Sequence, residues 1–243
     1  MEKPVVWIIG AGGGVGGCVA RQLSEAGWKI VGSGRDPERL EPLASEIEDW
    51  VSLPLNACDP EQMESAAQSV FKNLGRLDAV VVAVGSIFLK PLHATSTEEF
   101  SKTINANLLP AFHALRYSIP GMMRQKEGRF VLFSSAAAQV GLANHGSISA
   151  AKSAVEGLAL AASSTYAKRG IRINTIAPGP TDTPLAASLL GDETRRAISD
   201  AMHPVGRVGR ADEVARVASW LVKDAPDWMP GQVIGVDGGL SRL

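Results

Sequence analysis

The chain has 243 residues, and its 24 basic and 25 acidic residues leave a formal net charge of −1. This balance argues against a sequence-independent surface for nucleic acid or for an anionic membrane, and the length suits one α/β domain better than two. Its two cysteines, Cys18 and Cys58, form no CxxC pair and have no histidine cluster beside them, so we expect neither disulfides nor a metal site.

The N-terminus and the apolar runs bear on where the protein works. Residues 1–4 lead straight into a strand-like segment without a basic region or a cleavage site, and no apolar run reaches the roughly 18 residues of a membrane span. We therefore expect a cytoplasmic protein whose partner is a small-molecule substrate, with no nucleic-acid partner and no membrane partner.

Short segments rich in Val and Ile alternate with longer amphipathic segments along the chain. The short segments predict seven strands, at Val5–Ile9, Lys29–Gly32, Trp50–Leu55, Ala79–Val84, Arg129–Phe133, Ile171–Ile176 and Val233–Val236. The intervening segments predict a helix that ends at Gly27, helices that begin near Pro37 and Pro60, and longer helices over Thr97–Ile119 and Ser149–Lys168.

The strands are apolar throughout, which is typical of a parallel sheet that is buried on both faces. The pattern therefore predicts a single α/β domain over residues 1–243, a Rossmann-type doubly wound parallel sheet of about seven strands with helices on both faces. The segment at about 177–204 is rich in Pro, Gly, Thr and Asp. It predicts an irregular substrate lid beside the carboxyl edge of the sheet.

A glycine-rich loop joins the first predicted strand to the helix that follows it. Six of the eight residues from Gly10 to Gly17 are glycine. Side chains here would keep a pyrophosphate away from the backbone, and the helix N-terminus supplies N–H donors and a favourable dipole. The alternative is a tight turn that packs a helix on a sheet, but such a turn needs one or two glycines. The loop therefore predicts a dinucleotide site.

The residues after the second strand indicate which dinucleotide binds. An acidic residue at this strand end binds a ribose 2′-hydroxyl, whereas Gly34 and Arg35 offer room and a guanidinium for a 2′-phosphate. NADP(H) is therefore preferred, with NAD(H) as the alternative. Asp36 can pair with Arg35 or Arg39, or it can cap the helix that begins near Pro37. The alternative that Arg35 is only a solvated surface residue also stays open.

Motifs spread over almost the whole chain carry a family resemblance. They are the GxxxGxG spacing of Gly10, Gly14 and Gly16, the single residues Asn107, Ser135, Lys152 and Asn174, the pair Pro178-Gly179 with Thr183, and the ending from Gly231 to Gly239. In this order and at this spacing, the motifs resemble the short-chain dehydrogenase/reductase family. The resemblance implies that Ser135 orients the substrate carbonyl, that Lys152 holds the nicotinamide ribose, and that Asn107 supports a water relay.

The resemblance also implies which residues contact the cofactor. They are Gly10, Gly12, Gly13, Gly14, Val15, Gly16, Arg35, Asn56, Ala57, Gly85, Lys152, Pro178, Gly179, Thr181 and Thr183. It further implies a homo-dimer or homo-tetramer that assembles through the two longer helices and the C-terminal segment. Ile9, Asn56 and the turn Val82–Gly85 depart from the family's pattern, but backbone amides do most of the cofactor binding.

The family's catalytic tyrosine is missing. Its position, four residues before Lys152 and thirteen after Ser135, is occupied by Ile148. Tyr166 lies fourteen residues beyond Lys152 on the same predicted helix, about 21 Å along its axis, so it cannot substitute. Ketone reduction creates an alkoxide that must be protonated, and a positioned general acid contributes roughly 10²- to 10⁴-fold. The catalytic set therefore lacks its usual proton donor.

His145 is a candidate replacement for the tyrosine. It lies seven residues before Lys152, where related enoyl reductases of the same broad family place their tyrosine. An imidazole at this position would serve as a general acid near neutral pH. The segment from Asn144 to Ser147 is equally typical of a polar turn that caps the next helix, so the alternative that His145 has no catalytic role stays open.

Three functions from different classes are consistent with these residues. The first is an NADP(H)-dependent oxidoreductase that acts on a carbonyl/alcohol pair or an activated C=C bond, with Ile148 in place of the tyrosine. An enone tolerates this loss better, because its enolate can take a proton from water. The second is a catalytically silent dinucleotide-binding sensor or assembly protein. The third is a non-redox lyase or dehydratase in which the bound cofactor is a structural element.

Overall fold

A computed structural model describes residues 2–243, and its main element is a seven-stranded parallel sheet. The strands are β1 (Val5–Ile9), β2 (Lys29–Ser33), β3 (Trp50–Ser52), β4 (Ala79–Val82), β5 (Gly128–Phe133), β6 (Ile171–Pro178) and β9 (Val233–Val236), in the order β3-β2-β1-β4-β5-β6-β9. The two-residue strands β7 (Thr181–Asp182) and β8 (Gly209–Arg210) form a separate parallel pair. The strand order reverses between β1 and β4, which is where doubly wound sheets open a ligand crevice.

Helices cover both faces of the sheet. They are α1 (Gly14–Glu25), α2 (Glu41–Glu46), α3 (Pro60–Leu74), α4 (Thr97–Gln125), α5 (Gly146–Tyr166), α6 (Ala187–Leu190), α7 (Glu193–Ala201) and α8 (Ala211–Lys223). Neighbouring residues of β1 show the two layers, because Trp7 packs in a core with α3, α4 and α5, whereas Ile8 packs in a core with α1 and α8. The predicted doubly wound α/β fold is confirmed.

The predicted end of α4 was wrong. The helix continues past Ile119 and through Pro120 to Gln125. A proline removes one backbone hydrogen bond and favours a helix end nearby. Here the turn after Pro120 is held in place by packing, since Gly121 lies so close to the Phe71 ring that a Cβ would overlap it. Tertiary contact therefore overrides the local signal.

Smaller boundary differences occur at α5 and at five strands, of which β2 ends at Ser33, β5 begins at Gly128 and β6 ends at Pro178. α5 covers Gly146–Tyr166 instead of Ser149–Lys168, and a 3₁₀ turn follows it. β3 ends at Ser52 and β4 at Val82, both earlier than predicted. The segments beyond these strand ends still run beside their neighbours, since Leu53 donates a backbone hydrogen bond of 2.9 Å to the Gly32 oxygen and Ala83 one of 2.8 Å to the Ile9 oxygen.

The segment 177–204 is largely helical, so the expectation of an irregular stretch was wrong. It contains α6 and α7, and the Asp192 carboxylate caps α7 by accepting a 2.8 Å hydrogen bond from the Arg195 N–H. The Arg196 guanidinium donates to Asp182 at 2.6 Å, and the β7–β8 pair holds the start of the segment against the chain that follows it. Across residues 2–243, no helix combines the length and the apolar character that crossing a bilayer requires.

Candidate functional site

The glycine loop between β1 and α1 is closely packed on both sides. Gly10 has a φ of +96°, and a Cβ there would lie 2.6 Å from the Ala83 carbonyl oxygen. A Cβ on Gly14 would lie 2.8 Å from Cγ2 of Thr183. These positions have no room for a side chain, and Thr183 brings the start of the helical segment directly onto the loop.

The N-terminus of α1 is free to bind an anion. Its N-cap is Gly13, which has no side chain to occupy the N–H groups, and its first turn contains no acidic residue. Unpaired N–H groups and the helix dipole favour a phosphate at such an end. Gly16 lies beneath this surface, where it packs against the Gly10 carbonyl oxygen, and it is not among the residues that line the groove.

A groove of about 1180 Å³ runs from the glycine loop across the point where the strand order reverses. Most of the predicted cofactor residues line it. They are Gly10, Gly12, Gly13, Gly14, Val15, Arg35, Asn56, Ala57, Gly85 and Thr183. The groove therefore lies where doubly wound sheets bind dinucleotides, and the glycine loop lines it.

Arg35 lines the groove without a carboxylate partner among the described residues. Asp36 instead lies 3.5 Å from the Arg39 guanidinium and accepts a hydrogen bond of 3.1 Å from the Glu38 N–H. Asp36 therefore caps the helical turn that begins at Pro37 and pairs with Arg39. The Arg35 guanidinium remains available to an anion in the groove.

Lys152 lies on the inner face of α5, and its side chain is buried. Its Nζ donates a hydrogen bond of 2.9 Å to the Phe133 backbone oxygen. A Cβ on Gly85 would lie 3.3 Å from that Nζ, so Gly85 and the Lys152 side chain lie next to each other. Burial lowers the pKa of the ammonium to about 8, because removal from water disfavours its charged form.

Asn107 is buried, and its hydrogen bonds are made within the chain. Its Oδ1 accepts from the Ser86 N–H at 3.1 Å, and its Nδ2 donates to Ser86 Oγ at 3.0 Å and to the Thr103 backbone oxygen at 2.9 Å. These bonds fix the loop after β4. Ser86 was not predicted from the sequence, and its position directly after Gly85 is the signal that would have found it.

A smaller pocket of about 190 Å³ adjoins the groove beside Lys152. Ile148 forms part of its wall and is 5% exposed, so the side chain four residues before Lys152 is apolar and buried. Other apolar residues in the lining are Val84, Ile87, Phe133, Leu142, Pro180, Leu185, Ala186 and Leu189. Of the predicted residues, Asn107, Ser135, His145, Lys152, Pro178, Gly179 and Thr181 also line it.

Two polar side chains face this pocket with hydrogen-bonding capacity to spare. Ser135 Oγ accepts a hydrogen bond of 3.2 Å from the Ala137 N–H, which leaves its own hydroxyl proton free to donate. His145 precedes α5 but does not cap it with its side chain. Its Nδ1 lies 2.7 Å from the Ala143 backbone oxygen, which only accepts, so Nδ1 carries the proton and the neutral ring has its lone pair on Nε2.

Comparison with known proteins places the chain in a family. A family model described as enoyl-(acyl carrier protein) reductase matches residues 10–241. The chain belongs to the short-chain dehydrogenase/reductase family. The 3-oxoacyl-[acyl-carrier-protein] reductase of Thermotoga maritima is 31% identical to it over 247 residues, covering 99% of this chain and 98% of the relative. The cis-4-hydroxycyclohexanecarboxylate dehydrogenase of Sinomonas cyclohexanicum is 35% identical over 250 residues, covering 98% and 97%.

Solved structures of similar proteins share the whole fold. The structure of ElxO with NADP bound aligns with a TM-score of 0.92 at 27% identity and covers 98% of both chains. The gluconate 5-dehydrogenase of Burkholderia cenocepacia J2315, in complex with NADP and tartrate, aligns with a TM-score of 0.93 at 27% identity and covers 100% of this chain and 97% of that one. The resemblance to the family is therefore confirmed.

This short-chain dehydrogenase/reductase brings the residues expected to be catalytic to one place. Asn107, Ser135, His145 and Lys152 all line the pocket beside the groove, together with Ile148. Residues 2–243 contain no cluster of three or more His, Cys, Asp or Glu side chains arranged to hold a metal ion. The site is therefore a cofactor-sized groove that opens on an apolar pocket with a few polar groups.

Proposed function

We propose that this short-chain dehydrogenase/reductase binds NADP(H) and transfers hydride between it and a small substrate, either a carbonyl/alcohol pair or an activated C=C bond. The observation that carries the proposal is the junction at Gly85 and Ser86, which line both the groove and the pocket. Lys152 Nζ lies beside Gly85 at this junction. A ligand that extends from the glycine loop along the groove therefore reaches the pocket at its far end.

Two observations support NADP(H) over NAD(H). The Arg35 guanidinium lines the groove and is not paired with Asp36, so it is available to a 2′-phosphate. ElxO and the Burkholderia gluconate 5-dehydrogenase, which share the fold, carry NADP in their structures. The NADP(H) preference therefore rests on a local charge and on relatives of the same architecture.

The residues of this chain bind and orient the reacting groups. Bound NADP(H) supplies or accepts the hydride. Lys152 uses one N–H on the Phe133 oxygen and keeps two donors, which suit the ribose hydroxyl groups. Ser135 offers its free hydroxyl proton to the substrate oxygen, and Asn107 holds the Ser86 loop in place.

His145 supplies the proton transfer that Ile148 cannot perform. In the neutral form of the ring Nε2 is the acceptor, because Nδ1 donates its proton to the Ala143 oxygen. In alcohol oxidation, Nε2 takes the hydroxyl proton as the hydride leaves the carbon. In reduction, the imidazolium returns that proton to the oxygen. For an enone, water is able to protonate the enolate instead.

The segment of α6 and α7 acts as a lid in this proposal. Leu185 and Leu189 line the pocket, and Thr183 packs on Gly14 of the phosphate loop. The β7–β8 pair anchors the segment below these contacts. The lid therefore connects the phosphate end of the groove with the wall of the substrate pocket.

Assembly as a homo-dimer or homo-tetramer through α4, α5 and the C-terminal segment belongs to the same proposal. It is supported by apolar side chains that remain exposed in the single chain. Phe112 on α4 is 38% exposed, Leu160 on α5 is 62% exposed, and Trp228 is 96% exposed. Sedimentation of the wild type against Leu160→Glu tests this assembly, since a charge on that face should shift the protein toward the monomer. A wild type that sediments as a monomer contradicts it.

Binding and turnover test the proposed function directly. Titration with NADPH and NADH, followed by protein fluorescence, should show tighter binding of NADPH. NADPH oxidation is then measured with cyclohexanone and 2-cyclohexen-1-one, and at least one should be reduced. His145→Ala should lower kcat by roughly 10²- to 10⁴-fold with an unchanged NADPH Kd, whereas His93→Ala, an exposed histidine outside the site, should leave both unchanged. Failure to bind either dinucleotide refutes the proposal.

Buried Ile148 favours a second function, a dinucleotide-binding sensor without turnover. In that case NADPH binds tightly, no carbonyl or enone is reduced, and Ile148→Tyr does not restore activity. Wild-type turnover that depends on His145 excludes this second function.

A further inference from the structure

We propose that the pocket beside the groove selects an uncharged carbonyl compound with about one hydrocarbon ring and rejects the carboxylate of the same shape. The identity of the reacting carbonyl group rests on the proposed function. The choice of charge and size does not, because it follows from the walls of the pocket whether or not turnover occurs.

Apolar side chains from three parts of the chain form these walls. The loop after β4, the start of α5 with the loop before it, and the helical segment over the pocket each contribute a pair: Val84 and Ile87, Leu142 and Ile148, Leu185 and Leu189. Transfer of a hydrocarbon surface from water to such walls is favourable at about 25 cal/mol per Å². The pocket therefore gains affinity from the hydrocarbon part of its ligand.

Lys152 and His145 are the only basic side chains in the described lining, and no arginine is among the lining residues. Besides its bond to the Phe133 oxygen, Lys152 keeps two donors, which hold the cofactor ribose in the proposed function. The pKa of its ammonium is lowered to about 8 by burial, which shows that the surroundings disfavour charge. A carboxylate that enters this pocket loses its hydration without a guanidinium to pair with, which is unfavourable.

The polar groups that remain fit one neutral oxygen. Ser135 has a free hydroxyl proton to donate, and His145 presents Nε2 of its neutral ring as an acceptor. A carbonyl oxygen accepts from the serine, and the corresponding alcohol donates to the imidazole. Ile148 extends the apolar wall where a phenol would add a third polar group.

The volume of the pocket sets the size of the ligand. An apolar cavity of roughly 150 Å³ in another protein takes up benzene. The pocket here measures about 190 Å³, which leaves room for one six-membered ring and a short carbonyl substituent.

A matched pair of ligands tests the choice of charge. Cyclohexyl methyl ketone and cyclohexanecarboxylate have nearly the same shape and differ in charge. Calorimetric titration at pH 7, with and without saturating NADP⁺, should give a Kd for the ketone at least tenfold below that for the carboxylate.

Placing a guanidinium in the wall should reverse the preference. Leu189→Arg should weaken the binding of the ketone and strengthen the binding of the carboxylate, so that the ratio of their Kd values changes by at least tenfold. Ile198→Arg is the matched control, because Ile198 is 61% exposed on α7 and does not line the pocket. Leu142→Lys on the opposite wall gives a second test if Leu189→Arg melts at a lower temperature than the wild type.

The outcomes separate this proposal from the proposed function. Tighter ketone binding with reversal in Leu189→Arg supports the selection of charge, even if NADPH is never oxidised, and in that case only the proposed hydride transfer fails. Equal affinity for the ketone and the carboxylate, tighter carboxylate binding, or no detectable ketone binding overturns the pocket proposal. NADPH oxidation with other substrates would then leave the proposed function standing.

Discussion

Lys152 Nζ donates a 2.9 Å hydrogen bond to the backbone oxygen of Phe133, 19 residues earlier in the chain. The bond ties α5 to the carboxyl end of β5. It also fixes the nitrogen next to Gly85, at the junction of the groove and the pocket. A buried cation in this position lowers the stability of the folded chain and offers hydrogen-bond donors to a ligand. Both effects can be measured.

Lys152→Met should change how stability depends on pH. The pKa of Lys152 is about 8 in the folded chain against an ordinary 10.5, so between these values the unfolded chain binds more protons and stability rises with pH. From pH 7.5 to pH 9.5 the wild type should gain about 2 kcal/mol relative to Lys152→Met, at about 1.4 kcal/mol per pKa unit. Urea unfolding measures this difference, and Lys168→Met, on an exposed lysine, should show none. A constant difference between wild type and Lys152→Met contradicts the burial effect.

Arg35→Ala should remove the preference for NADPH. A hydrogen bond to a charged group contributes about 1.5–3 kcal/mol, so the Kd for NADPH should rise roughly 10- to 100-fold while the Kd for NADH stays the same. Arg39→Ala is the matched control, because Arg39 is paired with Asp36, and it should have a smaller effect. Fluorescence titration of both dinucleotides gives the four values. Equal losses for NADPH and NADH would show that Arg35 does not contact the 2′-phosphate.

Gly10→Ala and Gly17→Ala should have opposite effects on the same loop. At Gly10 the positive φ and the Ala83 oxygen exclude a Cβ, so stability and NADPH binding should both fall, with a loss of roughly 1–3 kcal/mol in stability. At Gly17, inside α1, the nearest atom to an added Cβ is 3.4 Å away, and stability should rise by about 0.4–1 kcal/mol. Thermal unfolding with and without NADPH measures both. A Gly10→Ala variant that binds NADPH like the wild type disproves the tight loop.

Asn107→Ala should loosen the loop after β4. The Ser86 N–H loses its partner, and an unsatisfied buried group costs about 1–3 kcal/mol. NADPH binding should weaken as well, since Ser86 lines the groove. Asn73→Ala, an exposed asparagine on α3 that bonds Ser69, should change stability by less than about 0.5 kcal/mol. Urea unfolding and NADPH titration of the two variants test this prediction. Equal losses of stability would contradict the role of Asn107 in holding Ser86.

Local chemistry explains why the sequence predicted so much of the fold. Continuous Val and Ile runs such as Val5–Ile9 identify buried parallel strands, and the glycines from Gly10 to Gly17 identify a phosphate loop, because each signal lies within a few consecutive residues. The predicted end of α4 failed for the opposite reason. Pro120 is a local stop signal, and the contact of Gly121 with Phe71 that overrides it comes from another helix.

The sequence by itself determined the α/β fold, the glycine loop, the Gly34-Arg35 pair after the second strand and the isoleucine four residues before Lys152. Each of these is a property of residue type and spacing. Only the tertiary structure decided that Asn107 forms hydrogen bonds with both the N–H and the hydroxyl of Ser86, that the His145 ring leaves Nε2 free, and that the wall around Ile148 is apolar. These features depend on side chains from distant segments meeting at the carboxyl edge of the sheet, and spacing along the chain does not specify which atoms meet there.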